Sequence, residues 1–383
     1  MTAGSSHISK SKQAVFISIL VLSGLALTLI AGELILRYYK QPVRTWDALD
    51  PGLIIYDKYL GWKLAPRWHG QHQNPAFKVR YSTNPYGFRG QFETRSDSQG
   101  NHYAFVGDSF TFGIGVNDDE TFVQNLNSGA TPGDLYLNFA VPGFSTDQEY
   151  ILIKEKVSDS LSDVIVLVTY LGNDLFDNLL PFPLQANRAK PYFELSGNKL
   201  VLNNSPVPFE TKPERLAAVD LNRVVMGDTP QQQGFLMRRL NNIELFKLAR
   251  HYVVPDDKDL FPLFENRFKK TLQLFTALLK RIHITCEQYD TELLLVLMPG
   301  RSLVERQGSQ SAQFQDFFRL RITEISKELH IRALDLATYL KQHYRKNRKQ
   351  LFYPNEGHLN AEGHRVTADF LRTRLDPALP SNQ

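Results

Sequence analysis

The stretch AFVGDSFTFGIGV, residues 104–116, joins an apolar run to a glycine turn and a second apolar segment. The run that enters it, His102–Val106, is predicted to be a buried β-strand. Gly107, Asp108 and Ser109 follow at once, and glycine permits the tight backbone that a strand-to-helix turn needs. Asp108 suits the capping position of the helix. The pattern therefore predicts that Ser109 presents its hydroxyl at the carboxyl edge of a β-sheet.

Predicted strands and helices alternate along the rest of the chain. The strands are His102–Val106, Leu135–Ala140, Val164–Tyr170, Glu292–Met298 and Ile331–Leu336. The helices are Glu120–Asn127, Thr146–Val157, Arg267–Tyr289, Ser311–Leu329 and Ala361–Arg374. The third and fourth strands are continuous apolar runs, which is typical of strands covered on both faces. This alternation predicts an α/β fold with a five-stranded parallel sheet between helices, and ligands bind at the carboxyl ends of such strands.

The N-terminus carries a long apolar segment. Ala14–Gly32 contains nineteen residues without a charge. At about 1.5 Å per residue, such a helix can cross a hydrocarbon core of roughly 30 Å. We favour an uncleaved anchor at 14–36, because the apolar run is long for a signal peptide and no clear cleavage site follows it. Lys10 and Lys12 precede it and favour a cytoplasmic tail at 1–13, although Arg37, Lys40 and Arg44 follow it and make the charge bias weak. A cleaved signal peptide and a buried helix of a soluble protein are the alternatives.

The remaining organisation is read from changes in pattern. Residues 37–100 are rich in turn signals and are predicted to pack, as an N-terminal extension, on a domain that spans 101–376. Residues 175–262 form an insertion after the third strand, with a hairpin within Lys190–Phe209 and a helical piece near Leu236–His251. The insertion is expected at the carboxyl edge of the sheet, where a lid and plain structural decoration are both open.

Composition excludes several classes of partner. The 383 residues carry a net charge of +4 with acids and bases interspersed, so no nucleic acid is expected as a partner. Cys286 is the single cysteine, which rules out an intramolecular disulfide. The sequence contains no HExxH motif, no phosphate-binding loop and no dinucleotide fingerprint, because Gly113-Ile114-Gly115 lacks the third glycine. We therefore expect neither a metal nor a cofactor.

Three other loops are predicted at the same edge of the sheet. They read NFAVPG at 138–143, LGND at 171–174 and NEGHLN at 355–360. Together with GDSF at 107–110, these loops resemble, in the correct order, the four sequence blocks of the SGNH or GDSL-type hydrolases. The resemblance covers roughly residues 101–375. It implies a flavodoxin-like three-layer sandwich, the SGNH hydrolase fold, and ester or acyl chemistry.

The four residues that name the family correspond here to Ser109, Gly143, Asn173 and His358. The resemblance implies that Ser109 is the nucleophile and His358 its base. It also implies an oxyanion hole formed by the backbone N–H groups of Ser109 and Gly143 and the side-chain amide of Asn173. The chemistry of these residue types agrees, because a serine hydroxyl is a weak nucleophile that needs an adjacent base.

One position departs from the family pattern. Members usually carry an aspartate three residues before the histidine, and that residue is Asn355 in this chain. Glu356 lies two residues before His358. We favour Glu356 as the residue that orients His358, because a carboxylate stabilises an imidazolium ion and an amide does not. Asn355 is the alternative.

Other polar residues have structural interpretations. His364 lies within the last predicted helix pattern, and Asp174 suits the start of a helix. The acids at 118–120 are predicted to form the solvated start of a helix. Arg89 is predicted to form a structural ion pair, with contact to an anionic substrate group as the alternative.

The expected function is hydrolysis or transfer of an acyl ester through a Ser109 acyl-enzyme. The anchor predicts a single-pass protein of the cell inner membrane whose catalytic domain is periplasmic or otherwise extracytoplasmic. Resemblance to anchored members implies an acylated, in particular O-acetylated, carbohydrate as substrate. Two alternatives stay open. One is a catalytically weak or inactive protein that serves in polysaccharide binding or assembly, and the other is a structural partner in a membrane complex.

Overall fold

The computed structural model describes residues 10–39, 48–90, 100–157, 162–183, 188–197, 199–209, 243 and 261–375. The chain divides into two compact units. The first contains helix α1 (Lys10–Tyr39), and the second contains the other described helices and strands. The helical piece predicted near 236–251 lies outside the described residues apart from residue 243.

Helix α1 contains the predicted anchor. Its segment Lys12–Tyr38 is long and apolar enough to cross a membrane, and none of its side chains is buried. Glu33 accepts a hydrogen bond from Nε of Arg37, one turn further on, at 2.7 Å. A signal sequence near an N-terminus meets the same criteria of length and composition. The uncleaved anchor therefore stays a prediction.

The N-terminal extension begins the second unit with two short hairpins. The first pairs β1 (Ile54–Asp57) with β2 (Gly61–Leu64), and the second pairs β3 (His69–Asn74) with β4 (Phe77–Ser82).

Seven further strands are described, and five of them form the central sheet. The seven strands are β5 (His102–Gly107), β6 (Leu135–Asn138), β7 (Val164–Tyr170), β8 (Tyr192–Ser196), β9 (Lys199–Asn203), β10 (Glu292–Met298) and β11 (Arg332–Asp335). Strands β8 and β9 form the predicted antiparallel hairpin. The other five are parallel in the order β6-β5-β7-β10-β11. Counted along the chain this is the order 2-1-3-4-5 of flavodoxin-like sheets, which confirms the predicted fold class.

Helices cover both faces of this sheet. They are α2 (Ser109–Phe112), α3 (Phe122–Asn127), α4 (Thr146–Leu152), α5 (Asp174–Asp177), α6 (Phe261–Arg267), α7 (Lys269–Gln288), α8 (Arg301–Glu305), α9 (Gln310–Glu328), α10 (Leu336–Asn347) and α11 (Ala361–Leu375). One core contains Ala104 and Ile165 and is covered by α4, α7 and α9. The other contains Phe105 and Val166 and is covered by α3, α10 and α11. Successive side chains of a strand point to opposite faces, so the apolar runs fill both cores.

Some predicted element ends are wrong, and side-chain capping explains them. Strand β6 stops at Asn138 instead of Ala140, because the Asn138 side chain accepts a hydrogen bond from the Ala140 N–H at 3.1 Å. Strand β11 stops at Asp335, whose carboxylate caps α10, a helix that the sequence pattern did not predict. The helix predicted from Glu120 becomes a 3₁₀ turn followed by α3, which Thr121 caps.

The extension shares a core with the sheet. Leu53, Trp62 and Tyr81 are buried in the same apolar cluster as Ala104 and Ile165. The described part of the extension therefore packs as part of the second unit.

Arg89 joins this extension to the loop that follows α2. Its buried guanidinium donates hydrogen bonds to the carbonyl oxygens of Phe112, Gly113 and Val116 at 2.6–2.7 Å, and to Asp118 at 2.8 Å. The structural role predicted for Arg89 is thus observed. The sequence predicts that Asp118 is a solvated acid. In the structure it is instead the anionic partner of the Arg89 guanidinium.

We expect Arg89→Lys to lower the free energy of unfolding by about 2–4 kcal/mol. An ammonium ion cannot reproduce the planar fork, so buried carbonyl oxygens lose their donors. Urea or thermal unfolding of the detergent-solubilised chain measures the change. Arg80→Lys, at an exposed position of β4, is the matched control and should change stability by about 0.5 kcal/mol or less. Equal effects at the two positions would contradict the role given to Arg89.

Candidate active site

Ser109 begins the helix that follows strand β5 of the central sheet. Asp108 caps this helix, as predicted, by accepting a hydrogen bond from the Phe110 N–H at 2.9 Å. Gly107 has no room for a side chain, because an added Cβ would lie 2.4 Å from Oγ1 of Thr111. These contacts fix the backbone on both sides of Ser109, whose side chain is buried apart from a small exposed fraction.

The imidazole of His358 faces the Ser109 hydroxyl. Its Nε2 lies 2.8 Å from Oγ of Ser109, although the two residues are 249 positions apart in the sequence. The loop that carries His358 is a tight turn, in which the Tyr353 N–H donates to the His358 carbonyl at 2.9 Å. Phe110 packs at 4.7 Å from the imidazole ring and stacks on Tyr170 at 4.1 Å. The ring is thereby held against the end of β5.

The other imidazole nitrogen contacts Glu356. Oε1 of Glu356 lies 2.5 Å from Nδ1 of His358, and Oε2 accepts the His358 backbone N–H at 2.9 Å. The Glu356 side chain is fully buried, whereas 13% of the His358 side chain is exposed. Asn355 is exposed, and the contact to the ring comes from Glu356. The geometry therefore favours Glu356 over Asn355 as the orienting residue.

Electrostatics around His358 favour its protonated form. Burial lowers the pKa of the imidazole, but the charge and hydrogen bond of Glu356, together with the charge of Asp108, more than offset it, so the pKa lies above its usual value of 6.5. An ionised Glu356 can only accept at Nδ1, which assigns the proton of the neutral ring to Nδ1. Nε2 is then free to accept the Ser109 proton.

The predicted oxyanion donors lie at the ends of the strands that flank β5. Gly143 follows β6 with φ +81°, in the left-handed region that favours glycine. Asn173 follows β7, and its Nδ2 donates to Oδ2 of Asp177 at 2.7 Å. That bond uses one of the two amide hydrogens of Asn173. β6 and β7 are the neighbours of β5 in the sheet, so the loops that carry Gly143 and Asn173 leave the same edge as the loop that carries Ser109.

A group of buried carboxyls lies behind the nucleophile, and sequence analysis did not find it. Burial raises the pKa of Asp108 to about 6. Burial, together with the charges of Asp108 and Asp147, raises the pKa of Glu149 well above its usual value. Within the described part of the chain, both carboxyl oxygens of Glu149 are buried without a hydrogen-bond partner. Asp147 itself forms a fully buried ion pair with Lys190. These acids lie in or beside the first turns of helices. From the sequence alone, an acid at such a position is predicted to be exposed to solvent.

Two further residues have packing roles. His364 accepts the Phe122 N–H at Nδ1 at 3.1 Å, stacks on the Phe122 ring, and has its pKa lowered by burial to about 3. Asp174 accepts the Tyr170 N–H at 2.6 Å at the start of α5. Among the described residues, no group of three or more His, Cys, Asp or Glu side chains is placed to hold a metal ion.

The sequence matches no protein-family model, and it matches no curated protein. Among solved structures, the chain is similar to the acetylxylan esterase Axe2 from Geobacillus stearothermophilus, with 11% identity, 76% of this chain and 100% of that chain covered, and a TM-score of 0.40. It is also similar to a protein of the G-D-S-L family from Desulfitobacterium hafniense DCB-2, with 13% identity, 71% and 98% covered, and a TM-score of 0.37. A third similar structure is LAE5, an alpha/beta hydrolase enzyme from the metagenome of Lake Arreo, with 10% identity, 73% and 96% covered, and a TM-score of 0.39.

We expect Glu149→Gln to stabilise the protein increasingly as the pH rises. Below about pH 4.5, the usual pKa of glutamate, Glu149 is protonated in both the folded and the unfolded chain. Above that pH only the unfolded chain releases the proton, because the folded-state pKa is raised, so unfolding becomes more favourable. Glutamine removes this linkage. Tm should therefore exceed that of the wild type by a few degrees at pH 8, and the difference should shrink towards pH 4.5.

Glu155→Gln is the control, because Glu155 is an exposed carboxylate just beyond α4, the helix that contains Glu149. Its Tm difference from the wild type should not vary with pH. A Glu149→Gln difference that is equally flat would mean that Glu149 is not a protonated buried acid.

Proposed function

We propose that this protein is a serine-dependent acyl-ester hydrolase or O-acyltransferase that acts on an O-acylated carbohydrate. The observation that carries the proposal is the hydrogen-bonded series from Glu356 through His358 to the Ser109 hydroxyl. A nucleophile, its base and an orienting acid in this arrangement define the serine triad by geometry, whatever their order in the sequence.

The chemistry follows from that series. Nε2 of His358 takes the hydroxyl proton as Oγ of Ser109 bonds to the acyl carbon of the ester. Gly143 and Asn173, with the Ser109 N–H, donate hydrogen bonds to the oxyanion that forms on the carbonyl oxygen. When the tetrahedral intermediate collapses, the alcohol leaves with the proton held by His358, and the acyl group stays on Ser109. Water or a second hydroxyl group then attacks this acyl-enzyme by the same steps in reverse.

The proposed substrate and location rest on sequence. The four blocks resemble those of SGNH hydrolases, whose anchored members are often linked to cell-envelope or secreted polysaccharides. An apolar α1 agrees with a single span of the inner membrane and an extracytoplasmic catalytic domain. Extraction of membranes with alkaline carbonate tests this location, because a spanning chain stays in the pellet and a processed chain does not.

We expect the detergent-solubilised full chain to hydrolyse p-nitrophenyl acetate and to react with a fluorophosphonate probe. Ser109→Ala and His358→Ala should each lower kcat by about 10⁴–10⁶, because triad residues act as a unit. Ser128→Ala, which removes an exposed hydroxyl at the end of α3, is the control and should keep its activity. Hydrolysis that survives in Ser109→Ala would identify another nucleophile. An inactive, unlabelled wild type would instead favour the polysaccharide-binding or assembly function.

We expect Glu356→Gln to lower kcat by about 10³–10⁴ and to move the acidic limb of the pH–rate profile to lower pH. The base must be neutral to accept a proton, and the charge of Glu356 raises the pKa of His358. Removal of that charge lowers the pKa, so the ring becomes neutral at lower pH. Asn355→Ala should cost less than about fivefold in kcat and leave the limb in place. The reverse pattern would assign the orienting role to Asn355.

A further inference from the structure

Trp62 reaches from the N-terminal extension to the turn that follows β6. Its indole Nε1–H donates to the carbonyl oxygen of Pro142 at 3.0 Å. Its ring packs edge-to-face on Phe144, with 5.6 Å between ring centroids. Trp62 thus contacts the residues on both sides of Gly143, although Trp62 and Pro142 are 80 positions apart in the sequence.

The Pro142 carbonyl and the Gly143 N–H belong to one peptide group. A trans peptide is planar, so its C=O and N–H bonds point in opposite directions and turn together. A hydrogen bond that fixes the carbonyl therefore also fixes the direction of the N–H. Pro142 is buried and Gly143 is partly exposed, which agrees with a carbonyl directed inward and an N–H directed outward. The hydrogen bond to the carbonyl also polarises the peptide, which strengthens the N–H as a donor.

We propose that Trp62 is a positioning residue that aims the Gly143 N–H at the oxyanion. This inference rests on the proposed function, because it assigns Gly143 the role of an oxyanion donor. It gives the N-terminal extension a part in catalysis that the four sequence blocks do not contain. In this role the indole acts only through the peptide it holds.

The backbone that leads into Trp62 is itself held by two contacts. Gly61 lies against the neighbouring backbone so closely that an added Cβ would be 2.4 Å from the Ala189 carbonyl oxygen. The Gln148 side chain donates to the Leu60 carbonyl at 2.7 Å. Trp62 itself is 1% exposed, so its side chain has little room to move. A group fixed in this way can keep a donor within the small tolerance that catalysis requires.

Trp68 offers a comparison within the same extension, at a less buried position. Its Nε1 also donates to a proline carbonyl, that of Pro51, at 3.0 Å. This bond joins two parts of the extension. The effect of losing an indole hydrogen bond on catalysis can therefore be compared between Trp62, which is linked to the proposed oxyanion donor, and Trp68, whose bond stays within the extension.

The experiment compares Trp62→Phe and Trp68→Phe in the detergent-solubilised full chain with p-nitrophenyl acetate. Active enzyme is counted by fluorophosphonate labelling at completion. We expect Trp62→Phe to lower kcat by about 10- to 100-fold with KM within about threefold, because a misdirected donor weakens binding of the transition state and not of the substrate. The rate of labelling should fall in parallel. The acidic limb of the pH–rate profile should not move, since His358 is untouched.

Trp68→Phe should keep kcat within about twofold, whatever it does to Tm. A second Trp62 variant carries 3-benzothienylalanine, which replaces the indole N–H by sulfur and retains the shape of the ring. It should reproduce the kcat loss without the packing defect of phenylalanine. Unchanged kcat in this isostere, or equal losses at positions 62 and 68, would overturn the proposal.

Failure of the proposed function gives a different pattern. In that case the wild type neither hydrolyses the ester nor labels at Ser109, and the positioning role falls with it. An active, Ser109-dependent wild type whose Trp62 variants are unimpaired would reject only the positioning role.

Discussion

The parallel pairing of β5 with β6 on one side and β7 on the other is the constraint on which this site depends. Parallel strands end at the same edge of a sheet, so the loops with Ser109, Gly143 and Asn173 become neighbours by topology. His358 comes from a loop far along the chain and must be brought to that edge by α10 and α11. Its hydrogen bond to Ser109 closes the arrangement.

The site combines a histidine whose raised pKa favours its charged form with carboxyl groups whose raised pKa values favour their neutral form. Glu356 and Asp108 raise the pKa of His358, and burial raises the pKa of Glu149 well above its usual value. Perturbed pKa values of this kind are common where groups must hold or transfer protons for catalysis. Burial of several carboxyls behind Ser109 has a cost in stability, and the Asp147–Lys190 ion pair offsets part of the negative charge.

Sequence patterns predicted the sheet because its information is local. Val164–Tyr170 and Glu292–Met298 are apolar on both faces, and their predicted bounds agree with the structure. Local charge chemistry also favoured Glu356 over Asn355, and the short spacing to His358 let the carboxylate reach the ring. Strand and helix ends were less accurate, because capping side chains such as those of Asn138 and Asp335 decide them.

The missed features depend on contacts between distant parts of the chain. Nothing near Trp62 indicates that it meets Pro142, and nothing near Lys190 indicates its ion pair with Asp147, 43 residues earlier. The central claim, a Ser109 acyl-enzyme, is tested most directly by acid-quenching the chain during steady-state turnover of p-nitrophenyl acetate and mapping the acetylated peptide by mass spectrometry. The account predicts one acetyl group on Ser109. Acetylation of a different residue, or turnover with no covalent adduct at all, would contradict it.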